Sequence, residues 1–143
     1  MAAADGSHGV VWPGEGLARV PYDLYTDPGI YAAEQRQIFR GPVWNFLCLA
    51  AEIPAPGDYK TTFIGDTPII TVRDTDGTIN ALENRCAHRG AMVCYKQRGN
   101  TRMLTCAYHA WVYDLKGRLR SVAFEKGINS QGGMPDGFAK SAH

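Results

Sequence analysis

Asn84-Arg85-Cys86-Ala87-His88-Arg89-Gly90-Ala91 and, after seventeen residues beyond His88, Cys106-Ala107-Tyr108-His109-Ala110-Trp111-Val112-Tyr113-Asp114 decide how this chain reads. Each stretch is a short loop sequence that offers one thiolate and one imidazole. A zinc finger pairs Cys with Cys at a short gap and then His with His. Here the pairing is mixed within each loop, and the Cys-x-His gap is shorter than a finger uses. The same inventory suits a [2Fe–2S] centre of mixed ligation, in which two Cys hold one iron and two His replace Cys on the other. On that reading Cys86 and Cys106 bind one iron, and His88 and His109 bind the second.

The rest of the composition is compatible with such a site. At 143 residues the chain is one domain in size, long enough to bury roughly 68–70% of its unfolded surface. A net charge of +1 and 45% hydrophobic content describe an ordinary globular protein. No apolar run approaches a membrane span, and no basic start leads into a long apolar stretch, so neither a membrane nor export is expected and the cytoplasm is. Four cysteines do not make a disulfide framework when two serve iron. Cys48, in the apolar run Val43-Trp-Asn-Phe-Leu-Cys-Leu49, reads as a small buried hydrophobe, and Cys94 as structural.

Sixteen Gly and eight Pro favour short strands over long helices. Residues 1–20 have little periodicity and are expected to fray. Asp27-Pro28 is an N-cap followed by proline at the first helical position, and Ile30, Tyr31, Ala33, Glu34, Ile38 and Phe39 follow at helical spacing until Gly41-Pro42. Strands are expected over Val43–Ala50, Tyr59–Ile64, Pro68–Arg73, Thr78–Glu83, Met103–Thr105, Trp111–Asp114 and Arg118–Phe124. The tracts Asp74-Thr-Asp-Gly77 and Leu115-Lys-Gly117 mark hairpin turns. The pattern predicts a mainly β fold, an antiparallel sandwich or small barrel with a short N-terminal helix. Residues 126–143 show no strand pattern.

The two loop sequences resemble, ligand for ligand, those of the Rieske non-haem iron aromatic-ring-hydroxylating oxygenases, large (α) subunit. The resemblance implies the Rieske [2Fe–2S] fold of antiparallel sheets, with the cluster held at the tips of two hairpin-like loops. It divides the chain into a leader with a short helix, residues 1–41, and a Rieske domain, residues 42–143. That domain would stop before its last strand and before a catalytic domain carrying mononuclear Fe(II) on two His and a carboxylate. Nothing here supplies that triad, since His8 and His143 sit at opposite ends, so no residue of this chain is expected to be catalytic. Respiratory Rieske proteins place a disulfide where Ala91 and Tyr108 stand here, and a Ser hydroxyl where Trp111 stands. Lacking both, the centre is expected at the low end of the Rieske potential range. Tyr113 remains as a hydroxyl donor to a ligand sulfur or, alternatively, as a core aromatic, and Trp111 as a shield or as packing.

The resemblance further implies electrons arriving from an NADH-dependent reductase or a ferredoxin and leaving through His109, flanked by Tyr108, to a neighbouring α subunit, with a β subunit in some assemblies. The substrates would be an aromatic ring and O₂. Ala107 and Ala110 replace the commoner Pro and Gly, and with Gly127-Ile-Asn-Ser-Gln-Gly-Gly-Met-Pro135 they are similar to enzymes for aromatic acids such as anthranilate or salicylate. A stand-alone Rieske ferredoxin is the alternative. From Arg85 to Arg120 eight bases face Asp114 alone, whereas residues 1–84 hold eleven acids and five bases. Such a basic collar suits an acidic electron donor, not nucleic acid, because no binding module accompanies it.

Overall fold

A computed structural model describes residues 11–12, 14 and 18–143. His8 and most of the N-terminal stretch expected to fray lie outside them. The chain divides into two compact units, residues 1–45 and 46–143. In the first, α1 spans Asp23–Thr26 and α2 spans Pro28–Glu34. The Asp27 carboxylate caps α2, accepting from the backbone N–H of Gly29 at 2.7 Å and Ile30 at 2.9 Å. A π-helical turn, Gln35–Phe39, ends the helix ahead of Gly41.

The second unit is built from two antiparallel sheets. Strands β1 (Asp58–Ile64), β2 (Thr67–Arg73), β3 (Ile79–Glu83) and β4 (Arg98–Asn100) pair in the order β3-β2-β1-β4. Strands β5 (Leu104–Thr105), β6 (Val112–Tyr113) and β7 (Leu119–Ser121) pair in the order β5-β6-β7. The β-branched run of β2 is buried along nearly its whole length, as a central strand requires. Both expected hairpin turns are present, closed by Asp74 N–H to Thr78 O at 2.8 Å and Asp114 N–H to Arg118 O at 3.0 Å. Lys116 on the second turn reaches Asp76 at 2.9 Å and Asp74 at 3.5 Å on the first, and Asn80 Nδ2 donates to Leu115 O, so the two sheets are stitched at that end.

Val43–Ala50 forms no strand, contrary to the sequence pattern. Trp44, Phe46 and Leu49 are exposed, and the run ends in a 3₁₀ turn, Ala50–Glu52, whose Glu52 carboxylate accepts from Leu49 N–H at 3.0 Å. An apolar run signals a wish for burial, but a strand also needs a neighbour's backbone. The later strands are shorter than expected because Trp111 bonds back into a loop and the β6–β7 register shifts between Val112 and Tyr113.

The core joins Tyr59, Ile70, Val72, Val93, Leu104, Leu115, Leu119 and Val122 to Trp111, Tyr113 and both loop cysteines. Residues 126–143 hold one isolated bridge, Ile128 to Gln131, and a 3₁₀ turn, Lys140–Ala142. That tail is anchored: Met134 and Phe138 pack against the core, and Lys140 pairs with Glu125 at 2.9 Å. Among the described residues no helix is long and apolar enough to cross a membrane.

Candidate metal centre

One loop follows β3 and the other joins β5 to β6, and they share a single hydrogen-bond frame. Cys86 N–H donates to Ala91 O at 2.8 Å, and Gly90 N–H to Cys86 O at 2.8 Å. In the second loop Cys106 N–H donates to Trp111 O at 2.9 Å, and Ala110 N–H to Cys106 O at 3.0 Å. The fourth residue after each cysteine is left-handed, Gly90 at φ 72° and Ala110 at φ 52°. The frames match although the histidines sit two and three residues after their cysteines. Nothing lies within 4 Å of a Cβ added at Gly90, so Gly90→Ala meets only the backbone penalty. It is expected to destabilise by about 1 kcal/mol, read as a shift in the denaturation midpoint.

Contacts link the four donors in pairs. His88 and His109 meet edge to face with ring centroids 4.7 Å apart. Both thiols lie close enough to Tyr113 to act on its phenol. The sulfurs are sunk, Cys86 at 3% and Cys106 at 2% exposure, whereas His88 is exposed and His109 half-buried. His109 Nδ1 is buried without any hydrogen-bond partner, a lone pair placed for a ligand. Loss of hydration lowers the His88 pKa, with His109 and Arg89 adding to it, which favours the neutral ring that a metal requires. Among the described residues no three His, Cys, Asp or Glu surround a single point. Two thiols and two imidazoles are the protein donors that a binuclear cluster of mixed ligation asks for, two per iron. The donor set fits the binuclear group.

Two further residues hold the frame. Tyr113 Oη lies 3.2 Å from Cys86 Sγ and accepts from Ala87 N–H at 3.0 Å. Burial first, then the bond to Cys86, push its pKa well above the usual phenol value, so it stays a protonated donor. Tyr113 therefore combines the two readings the sequence left open, sulfur contact and core aromatic. Asn84, fully buried, was quoted within the loop sequence without a role. Its Oδ1 accepts from Val93 N–H at 3.0 Å and Cys94 N–H at 2.9 Å, and its Nδ2 donates to Cys94 O at 2.8 Å. An Asn directly before the Arg-Cys of a ligand loop was the only available signal.

Cys94 packs against the core, and burial raises its thiol pKa. Cys48 is half-buried, not the buried hydrophobe expected, because its run forms no strand. The basic collar is thinner than its linear count. Arg85 pairs with Glu83, Arg98 with Glu52, Lys116 with Asp74 and Asp76, and Arg120 with Asp114. Arg89, Lys96, Arg102 and Arg118 are exposed, and among the described residues they have no ion-pair partner.

Residues 43–131 match the family model of the Rieske [2Fe-2S] domain. The chain is 52% identical over 134 residues to the terminal oxygenase component subunit alpha 2 of terephthalate 1,2-dioxygenase from Comamonas sp, across 94% of this chain and 32% of that protein. It is 48% identical over 143 residues to the large subunit of anthranilate 1,2-dioxygenase from Burkholderia cepacia, across 100% of this chain and 34% of that one. The structure of naphthalene 1,2-dioxygenase with indole in its active site superposes with a TM-score of 0.69 at 36% identity, covering 78% of this chain and 24% of that one. The chain spans about a third of the length of the curated relatives it matches.

Proposed function

The chain belongs to the Rieske [2Fe-2S] domain family, and from that premise we propose that it is the electron-accepting part of an aromatic-ring-hydroxylating oxygenase α subunit. The observation that carries this reading is the pair of matched loops, each delivering one sunken thiol and one outward imidazole. Cys86 and Cys106 would hold one iron, and His88 and His109 the other. When bound, the cluster supplies one-electron storage. The relatives are oxygenase components, which favours this role over a stand-alone ferredoxin.

Tyr113 donates its hydroxyl toward Cys86 Sγ and so spreads the thiolate's charge. Trp111 stands beside the site and brings no second hydroxyl. One hydroxyl donor and no disulfide support a potential near the low end of roughly −150 to +300 mV. A redox titration followed by the EPR signal of the reduced state, with its low average g value, tests this. A midpoint near the upper limit, or the g values of an all-Cys cluster, defeats the reading.

The imidazole face opens into a groove of about 450 Å³ lined by His88, Tyr108, His109, Trp111, Phe124 and Met134. Its aromatic rim suits a neighbouring α subunit, with His109 as the point of electron exit to that neighbour's mononuclear iron. The unpaired bases suit an acidic ferredoxin or an NADH-dependent reductase. Lys96→Glu with Arg102→Glu is expected to slow reduction by such a donor about tenfold at low salt, with the difference vanishing at high salt. Equal stopped-flow rates at low salt would remove these residues from the docking face. Relatives named for terephthalate and anthranilate support an aromatic acid as substrate.

A further inference from the structure

Imidazoles that bind metal are ordinarily oriented by a hydrogen bond from the remote ring nitrogen to a carboxylate or carbonyl. Among the described residues neither His88 nor His109 makes one. His88 instead lies flat on Trp111, with ring centroids 4.7 Å apart and planes 12° from parallel. Trp111 is 4% exposed, and its edge contacts come from the tail. Phe138 meets it at 5.8 Å and His143 at 5.5 Å, and these two rings stack on each other at 5.2 Å.

Taking the ligand assignment above as given, we propose that Trp111 is a positioning residue. It sets the plane of the His88 imidazole by stacking, and residues 134–143 form the buttress that holds the indole in place. An indole serving only as core filler would have no reason to present its flat face to an exposed imidazole. The indole is also held by a segment with its own anchors. Lys140 pairs with Glu125, Met134 N–H donates to Glu125 O at 2.9 Å, and Gly127 turns at φ 74° where any Cβ would collide with Gln131 O. The tail is thus fixed on a turn that tolerates only glycine, and it delivers Phe138 to the indole.

Losing the stack frees His88 to rotate and lets water closer to the imidazole side of the centre. Water favours the more negative, reduced state, so the midpoint potential moves upward. It also weakens retention, with release of iron to a chelator about three- to tenfold faster, the range that one aromatic pair is worth. The test loads the chain with iron and sulfide and compares Trp111→Leu with Trp111→Phe. The leucine variant is expected to show a raised potential, a broadened or split EPR spectrum and faster iron release. The phenylalanine variant, which restores a flat ring, returns all three toward the parent. Phe138→Ala, which removes a buttress ring and changes no residue of either ligand loop, gives a milder version of the leucine result and decides the matter if Trp111→Leu fails to fold. A parent chain with no EPR signal defeats the ligand assignment itself. A parent signal shared unchanged by Trp111→Leu, or by Phe138→Ala where the leucine variant does not fold, overturns the stacking role alone.

Discussion

Cys106→Ser is expected to leave a folded chain that holds almost no iron. The cysteine is 2% exposed and its sulfur lies inside the core, so serine fits the space with nearly the same shape. What disappears is a thiolate, which binds iron far better than an alcohol that stays protonated at neutral pH. Changes one layer outside a metal already cost 10–100-fold in affinity, and loss of a ligand costs more than about 100-fold. Iron and acid-labile sulfide per chain, together with visible absorbance, measure it. Cys94→Ser is the matched control: Cys94 packs against the core, and burial holds its thiol protonated, so full iron content is expected. A coloured Cys106→Ser protein beside a colourless Cys94→Ser protein would reassign the ligands.

The second large effect falls on a residue that touches no metal. Asn84→Ala removes an amide that is 0% exposed and makes three hydrogen bonds. The N–H groups of Val93 and Cys94 and the carbonyl of Cys94 are then left without partners. At about 1–3 kcal/mol for each unsatisfied buried group, with some relief from relaxation or entering water, the cost is about 3–5 kcal/mol. That is a large fraction of the ~5–15 kcal/mol that keeps a domain folded. A denaturant titration of the metal-loaded chain reads the loss as a lower midpoint at unchanged slope. Asn84→Asp does not rescue, because the carboxylate keeps both acceptor bonds but turns an acceptor toward Cys94 O and buries a charge. An unfolding free energy within about 1 kcal/mol of the parent for Asn84→Ala would show that the amide clamp is dispensable.

The metal centre was legible because its chemistry dictates residue types at close spacing. Two thiols and two imidazoles in loops leave few alternatives, and the structure brings the two imidazoles into contact and sets both thiols near Tyr113. Strands β1, β2 and β3 were legible for a related reason, namely β-branched residues concentrated in β1 and β2 and glycine turns that separate the three strands. What escaped is whatever depends on residues far apart in the chain. Strand β4, Arg98-Gly99-Asn100, has no apolar alternation and exists because β1 offers it a partner. The collar's apparent charge was halved largely by carboxylates from elsewhere in the sequence, such as Glu52 against Arg98 and Asp74 against Lys116. Asn84 as a clamp and Trp111 as a stacking surface are likewise relations between segments, which composition and spacing do not encode. Val43–Ala50 failed in the other direction, with a local pattern strong enough to suggest a strand and no ladder to join.

The unequal depth of the four donors gives the site a floor and a rim. Sulfur lies beneath, inside packed side chains, and the imidazoles stand nearer the mouth, His88 exposed and His109 half-buried. Were the cluster bound as proposed, dissolved oxidants and chelating anions would reach the histidine side first, and corrosion of the centre would start from that lip. Metal delivered from solution would meet the same order, passing imidazole before reaching thiolate, so loading depends on that mouth standing open.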